Sequence, residues 1–507
     1  MISRAQAKFG LWIIAALLLF GAGFATAADI TSKSESFDRD PHWDARNNHI
    51  VPANVPEIVQ DFGYSDTRYA SAMPGEIGGR ITRASEPAYY ATDIGSKTLN
   101  EKLSASGTFA LTRTSSGAGI FFGFFKAAQV GASGRPIGSL GMDIDAERQG
   151  ARLAIRLITP QEKSCGTFVT PFIPGHFRPT PIRNDGTRYR WTLEYDPQAN
   201  DSKGRITFTI HSDANHPDDL ITANMPEAHR QEALAHFPHT TTFSIDLPQG
   251  FKEHGTVFDH FGLMNGLKPG ASMTIYFADL KCCGRSEDQS HDPHWDSLRN
   301  RATYQAVDVA GAQNFGFSNT SFTGGKPGEI GGTFWRWESN WGYYADKVGP
   351  LTFHNRLEAQ GKVTLVTAGP DADMCIGWFG AQSEKSPDKS GDFVGIHVGG
   401  PTRMGHPFMP AFSVSSGMHG VAKTGPALLP GKSYAWKLVY DPDDNRGHGT
   451  ITATLGTEST TLNLKKGWKA KAEQSQLDHF GMFSIAPGGQ MVKIYLDDLR
   501  YTVAAPR

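Results

Sequence analysis

Three carboxylates stand at alternate positions in Gly141-Met142-Asp143-Ile144-Asp145-Ala146-Glu147. They follow an aromatic-rich run, Gly119-Ile120-Phe121-Phe122-Gly123-Phe124-Phe125. Successive side chains of a strand point to opposite faces, so Asp143, Asp145 and Glu147 share one face. The outer two are roughly 7 Å apart along the backbone. Side-chain lean can bring them near the roughly 5 Å that suits a retaining double displacement at a glycosidic bond. The same acids also fit a calcium site, a hydrogen-bonding site or a plain solvent-facing strand. The corresponding later stretch reads Gly395-Ile396-His397-Val398-Gly399, with a histidine in place of the first acid.

A second constellation occurs twice. Glu76 and Glu329 lie in identical Pro-Gly-Glu-Ile-Gly-Gly turns, followed by Arg83 or Arg336 and by a tyrosine doublet ending in Tyr90 or Tyr344. A carboxylate, a guanidinium and a phenol could bind a sugar through charge-assisted hydrogen bonds and ring stacking. They could equally serve acid/base chemistry in hydrolysis, or in a lyase where tyrosine or histidine takes the proton α to a uronate carboxylate. A purely structural origin is as well supported, because paired glycines often survive for backbone reasons. Phe124 and its counterpart Trp378 are candidate stacking surfaces for sugar rings, with Trp335, Trp337 and Trp341 enriching the second copy. His397 sits at the centre of that copy's candidate face.

These residues belong to a duplication. Asp40-Pro41-His42-Trp43-Asp44 recurs as Asp292-Pro293-His294-Trp295-Asp296, followed by Asn48 or Asn300. Tyr195-Asp196-Pro197 recurs as Tyr440-Asp441-Pro442, and Asp259-His260-Phe261-Gly262 as Asp478-His479-Phe480-Gly481. The matches keep one order, which divides the chain into residues 28–284 and 285–507. The first copy carries an insertion near residues 215–239 with the pattern of a short amphipathic helix. The Asp-Pro-His-Trp-Asp segments are expected to be packed, hydrogen-bonded corners rather than sites.

Each copy reads as short strands separated by Gly, Pro, Asn or Asp: 105–112, 119–126, 140–145, 151–158, 189–195, 205–210 and 273–280 in the first. That pattern predicts an all-β protein of two tandem antiparallel β-sandwiches, with jelly rolls suiting the domain length. The aromatic strand followed by the acidic strand resembles the laminarinase-like hydrolases of the concanavalin A-like lectin and glucanase superfamily. The resemblance implies Asp143 as nucleophile, Glu147 as acid/base and Asp145 as the residue that tunes them. The chain departs from that family at Asp143, where the motif has a glutamate. The shorter side chain puts the attack geometry in doubt.

Composition narrows the partners. Formal net charge is -2, and 20% of residues are charged, which disfavours an electrostatic grip on nucleic acid or anionic membrane. Arg4 and Lys8, the apolar run from Leu11 to Phe24, and Ala25-Thr26-Ala27 read as a secretory signal peptide over residues 1–27. The expected destination is the periplasm or the medium, with no membrane span after cleavage. Cys165, Cys282, Cys283 and Cys375 lack zinc-site spacing and are taken as structural or incidental. No phosphate-binding loop, dinucleotide fingerprint or Gly-x-Ser-x-Gly elbow occurs. The expectation is an exported carbohydrate-active protein, a polysaccharide hydrolase or lyase. It needs no cofactor beyond a calcium ion that the acids could hold. A non-catalytic bivalent glycan-binding protein and a structural envelope protein are the alternatives.

Overall fold

The computed structural model describes residues 29–129, 135–148, 150–170, 179, 181–212, 240–336, 341–485 and 489–506. The expected export segment, the helix expected near 215–239 and Trp337 lie outside them. Nearly every element is an antiparallel strand, and the expected strands are all present. The alternation that marked them is an alternation of burial. In Arg188–Asp196, Tyr189, Trp191, Leu193 and Tyr195 are buried, while Arg190, Thr192 and Glu194 face solvent.

Two sandwiches result. In the first, a seven-stranded sheet runs in the order Ser164–Phe168, Gly150–Ile158, Ser139–Glu147, Gly119–Phe125, Val257–Asn265, Tyr89–Thr98, Asp296–Leu298. It packs on a nine-stranded sheet whose centre is Arg188–Asp196, Leu103–Thr114, Ser272–Cys282 and Glu76–Thr82. The second sandwich repeats this order. Asp373–Phe379 and Phe393–Gly399 take the places of Gly119–Phe125 and Ser139–Glu147. Each pair of sheets encloses its own apolar core.

The folded units are out of step with the sequence repeats. Ile30–Glu35, Asp44–Arg46 and His49–Ile50 open the first repeat, yet they pair with Met491–Ala504, Tyr343–Leu351 and Gln313–Ser318 of the second sandwich. Reciprocally, Arg285–Ser286, Asp296–Leu298 and Arg301–Gln305 pair with Ser272–Cys282, Tyr89–Thr98 and Glu57–Ser65 of the first. The boundary read from sequence at 284/285 marks the repeat, whereas each sandwich takes its N-terminal arm from the other repeat.

The duplicated Asp-Pro-His-Trp-Asp motif is the anchor of each arm. Trp43 and Trp295 are buried in the recipient cores, beside Tyr344 and Tyr90. The Tyr90 hydroxyl donates to Asp292 Oδ1 at 2.5 Å, and the Tyr344 hydroxyl to Asp40 Oδ1 at 2.9 Å. The Asn300 and Asn48 amides donate to the carbonyls of Phe62 and Phe315 at 2.8 and 2.7 Å. Tyr90 and Tyr344 therefore dock arms. Their rings and hydroxyls are committed inside the fold, which corrects the sugar-binding role expected of them.

Candidate functional site

Strand alternation places the three acids as expected. Leu140, Met142, Ile144 and Ala146 of Ser139–Glu147 enter the core, and Asp143, Asp145 and Glu147 lie on the outer face of the seven-stranded sheet. Their surroundings are cationic. Asp143 Oδ2 lies 3.2 Å from Arg135 Nε and 3.1 Å from Arg156 Nε. Asp145 is ion-paired with Arg83, and its other oxygen lies 3.6 Å from Arg135 Nη2. Glu147 Oε2 is 2.7 Å from Nη1 of the buried Arg152.

Arg83 reaches this face by passing over glycines. A Cβ at Gly119, Gly266 or Gly270 would collide with its side chain. Burial and the neighbouring Arg135 pull the Arg83 guanidinium down to about 10. Lys268 follows the same strand-to-loop turn, and burial together with Arg83 and Arg135 pushes its ammonium down to about 8. The carboxylate of Asp371, from the second sandwich, opposes that shift on Lys268 and on Arg135. The cluster thus lies where the sandwiches meet. Such a setting favours binding of carboxylate or sulfate oxygens, which guanidinium groups grip in a planar fork.

The second sandwich carries a related but different cluster. Arg336 pairs with Asp373 and donates through Nη1 to the Asp371 carbonyl at 2.7 Å. Burial raises Asp373 to about 6 and lowers His397 to about 4, so the imidazole is neutral near pH 7. His397 Nε2 lies 3.7 Å from Asp373 Oδ1. Burial raises Asp388 as well, with Lys389 and His397 opposing it. The structure brings Arg83 together with Asp143 and Asp145, and Arg336 together with His397, but it keeps Glu76 and Glu329 apart from both sets.

Glu76 and Glu329 organise loops. Glu76 accepts from the Thr67 hydroxyl and from the amides of Tyr69 and Ala70, at 3.0 and 2.7 Å for the amides. Glu329 accepts from the Thr320 hydroxyl at 2.6 Å, the Phe322 and Thr323 amides at 2.9 Å, and the Thr323 hydroxyl at 2.7 Å. Both carboxylates are fully buried. With three donors from the loop on Glu76 and four on Glu329, and no exposed surface on either, neither is presented to a ligand.

The aromatic surfaces expected from sequence are corrected too. Phe124 and Trp378 are fully buried in the two cores, and the Trp378 indole N–H donates to the Thr502 carbonyl at 2.9 Å. Trp335 and Trp341 are buried as well. The alternation misled because the residues one step away, Phe121, Phe125 and Phe379, supply rings to the outer face, yet these too are covered. Among the described residues, no group of three His, Cys, Asp or Glu is placed to hold a metal ion. All four thiols are free, with the Sγ atoms of Cys282 and Cys283 3.5 Å apart. No helix among the described residues is long and apolar enough to cross a membrane.

No known protein family matches the chain, and neither does any curated protein. Solved structures give distant overlaps. Mouse laminin α1 domains LG4-5 align over 89% of this chain and 93% of theirs, at 12% identity and a TM-score of 0.24. The binding domain of Paraclostridial Mosquitocidal Protein 1 aligns over 90% and 94%, at 10% identity and a TM-score of 0.25. An alginate lyase bound to an alginate trisaccharide covers 34% of this chain and 80% of its own, at 14% identity and a TM-score of 0.24. Overlap this low carries no argument about function.

Proposed function

We propose that this is an exported protein that binds an acidic polysaccharide at the Arg83–Arg135–Arg156–Lys268 cluster of the first sandwich. One observation carries the reading: the guanidinium groups of Arg83, Arg135 and Arg156 crowd around Asp143 and Asp145 on one outer face, with the half-buried Lys268 close enough to Arg83 and Arg135 for its ammonium to be lowered to about 8. The four cations outnumber Asp143 and Asp145, the carboxylates they pair with, and a uronate or sulfated sugar supplies a further anion to the crowded face. The hydrolase assignment is less well supported, because Asp143, Asp145 and Glu147 each face an arginine at ion-pair distance. A nucleophile and an acid held that way are poorly disposed to attack or to donate a proton.

Affinity gels containing alginate, polygalacturonate or a neutral glucan test the reading. Retardation by the acidic gels alone, lost in Lys268→Met and Arg156→Met, is the expected result. Equal mobility in all gels would overturn it. A lyase is the second reading, favoured by the same Lys268. An amine lowered to about 8 is a serviceable base for the proton α to a carboxylate that the arginines neutralise. Ultraviolet absorbance of unsaturated uronates in the same incubations separates the two.

A further inference from the structure

The loops organised by Glu76 and Glu329 each display one ring. In the first sandwich Tyr69 remains 48% exposed and stacks on Tyr276, with centroids 4.7 Å apart and planes inclined by 24°. In the second, Phe322 is 42% exposed and stacks on Tyr495, at 4.7 Å and 22°. The two pairs occupy corresponding repeat positions, on the outer face of the nine-stranded sheets rather than on the sheets that carry the cationic cluster.

The construction is more elaborate than packing requires. The buried carboxylate binds the amide of the displayed residue itself, Tyr69 or Phe322, and so fixes where its ring stands. A second residue braces each loop from another strand of the same sheet. Arg188 donates to the carbonyls of Arg68, Tyr69 and Ser71, and Ser433 donates to that of Thr323. Burying a charged group to hold an exposed ring gives the fold nothing that an alanine would not. Each loop also has a cation beside it. Lys493 Nζ lies 5.3 Å from the Phe322 centroid, and the half-buried Arg188 donates through Nε to the Tyr69 carbonyl at 2.8 Å.

We infer that Tyr69 with Tyr276, and Phe322 with Tyr495, form two equivalent platforms on which pyranose rings of an acidic glycan lie flat. The axial C–H bonds of a sugar ring are weakly positive and meet the negative face of the aromatic quadrupole. The adjacent Arg188 or Lys493 matches the sugar's carboxylate or sulfate in charge. Two such surfaces on one chain raise avidity for a long polymer, since the second contact forms at the effective concentration set by the first. This inference rests on the acidic-glycan reading above and adds a second kind of contact to it.

The test compares the full chain with Tyr69→Ala, Phe322→Ala and the double variant in alginate and polygalacturonate affinity gels, with thermal melts as the control for folding. Each single variant should weaken retardation about threefold and the double at least tenfold, with melting unchanged. Tyr69→Phe and Phe322→Tyr should bind as the parent does. A double variant retarded like the parent, while Lys268→Met is not, would overturn the platforms and leave the cationic site standing. A parent chain that no acidic gel retards removes the glycan reading itself. Sedimentation showing a dimer that the double variant dissolves would assign these rings to self-association and overturn the inference.

Discussion

Asp145 and Asp373 hold equivalent arginines from opposite strands of the same cross-strand pair. In the first sandwich Asp145 is paired with Gly119 across the sheet, and it binds Arg83. In the second, Asp373 takes the place of Gly119, it is paired with Gly399, and it binds Arg336. Carboxylate and glycine have changed strands between the repeats. The sheet needs one acid for the buried arginine and one position without a Cβ beside it, and it is indifferent to which strand supplies which.

That exchange gives the first prediction. Asp145→Gly strips the acid from a largely buried guanidinium and should cost roughly 2–4 kcal/mol, since an uncompensated buried charge is left behind. Gly119→Asp in the same chain reproduces the arrangement of the second sandwich once the Arg83 guanidinium swings off the space the new Cβ takes, and should recover at least half of the loss. Urea unfolding of the single and double variants measures both. A double variant no more stable than Asp145→Gly would show that the two pairs are not interchangeable.

The exchanged arms predict where the chain can be cut. Residues 51–305 contain the first sandwich together with the arm that docks on it, whereas residues 29–284 contain an arm that belongs elsewhere. The piece 51–305 should fold cooperatively, and 29–284 should melt at least ~5 °C lower, having lost the buried Trp295 and its edge strands. Calorimetry on the two pieces is decisive. Equal melting temperatures would mean that the arms contribute little.

Much of this architecture was legible. The strands of each repeat announce themselves because one face of each is buried against the facing sheet, as at Tyr189, Trp191, Leu193 and Tyr195. The arm exchange was not, since Asp40–Asp44 and Asp292–Asp296 are alike and nothing local says which body each joins. Among site residues, the shared face of Asp143, Asp145 and Glu147 follows from a period of two. The arginines that meet them, Arg83, Arg135, Arg152 and Arg156, come from three separate stretches of chain, and only the fold assembles those. The aromatic candidates failed for a related reason: composition finds rings, but the register that buries Trp378 and exposes Phe322 is set by tertiary pairing. Tyr69 and Phe322 could have been noticed as aromatics kept four residues after each Phe-Gly-aromatic-Ser strand.

Each arm is also clasped by a histidine, which makes docking sensitive to pH. His260 lies between Asp259 Oδ1, at 2.7 Å, and Asp296 Oδ2 of the arm, at 3.0 Å. His479 lies between Asp478 at 2.7 Å and Asp44 of the other arm at 2.9 Å. Burial disfavours both imidazolium ions, but the paired carboxylates outweigh it and raise both above the ordinary histidine value. Tyr89 and Phe125 flank His260, while Tyr343 and Lys347 share Asp44 with His479. A raised folded value means that the clasp stabilises fully below about 6.5, the unfolded histidine value, and that this contribution is lost as pH climbs through the folded one. Stability should therefore fall as pH rises above about 6.5, and His260→Gln with His479→Gln should flatten that slope. An unchanged slope in the double variant would assign the pH dependence elsewhere.

Lys268 separates binding from catalysis by the sign of a pH effect. Its ammonium is lowered to about 8 by burial and by Arg83 and Arg135. Raising pH from 7 to 9 discharges it and removes one cation from the cluster. Affinity for polygalacturonate should then weaken by up to about tenfold, the value of one charge-assisted hydrogen bond. Lys268→Met should bind with the weaker affinity at both pH values. If the amine is instead a lyase base, it works only when neutral, so the rate of unsaturated-uronate formation at saturating polymer should rise through the same interval. Affinity that falls without any absorbance marks a binding protein. Falling affinity with rising turnover marks a lyase. Affinity that is flat from pH 7 to 9 in the parent chain would remove Lys268 from the ligand's path and leave the arginines to hold it alone.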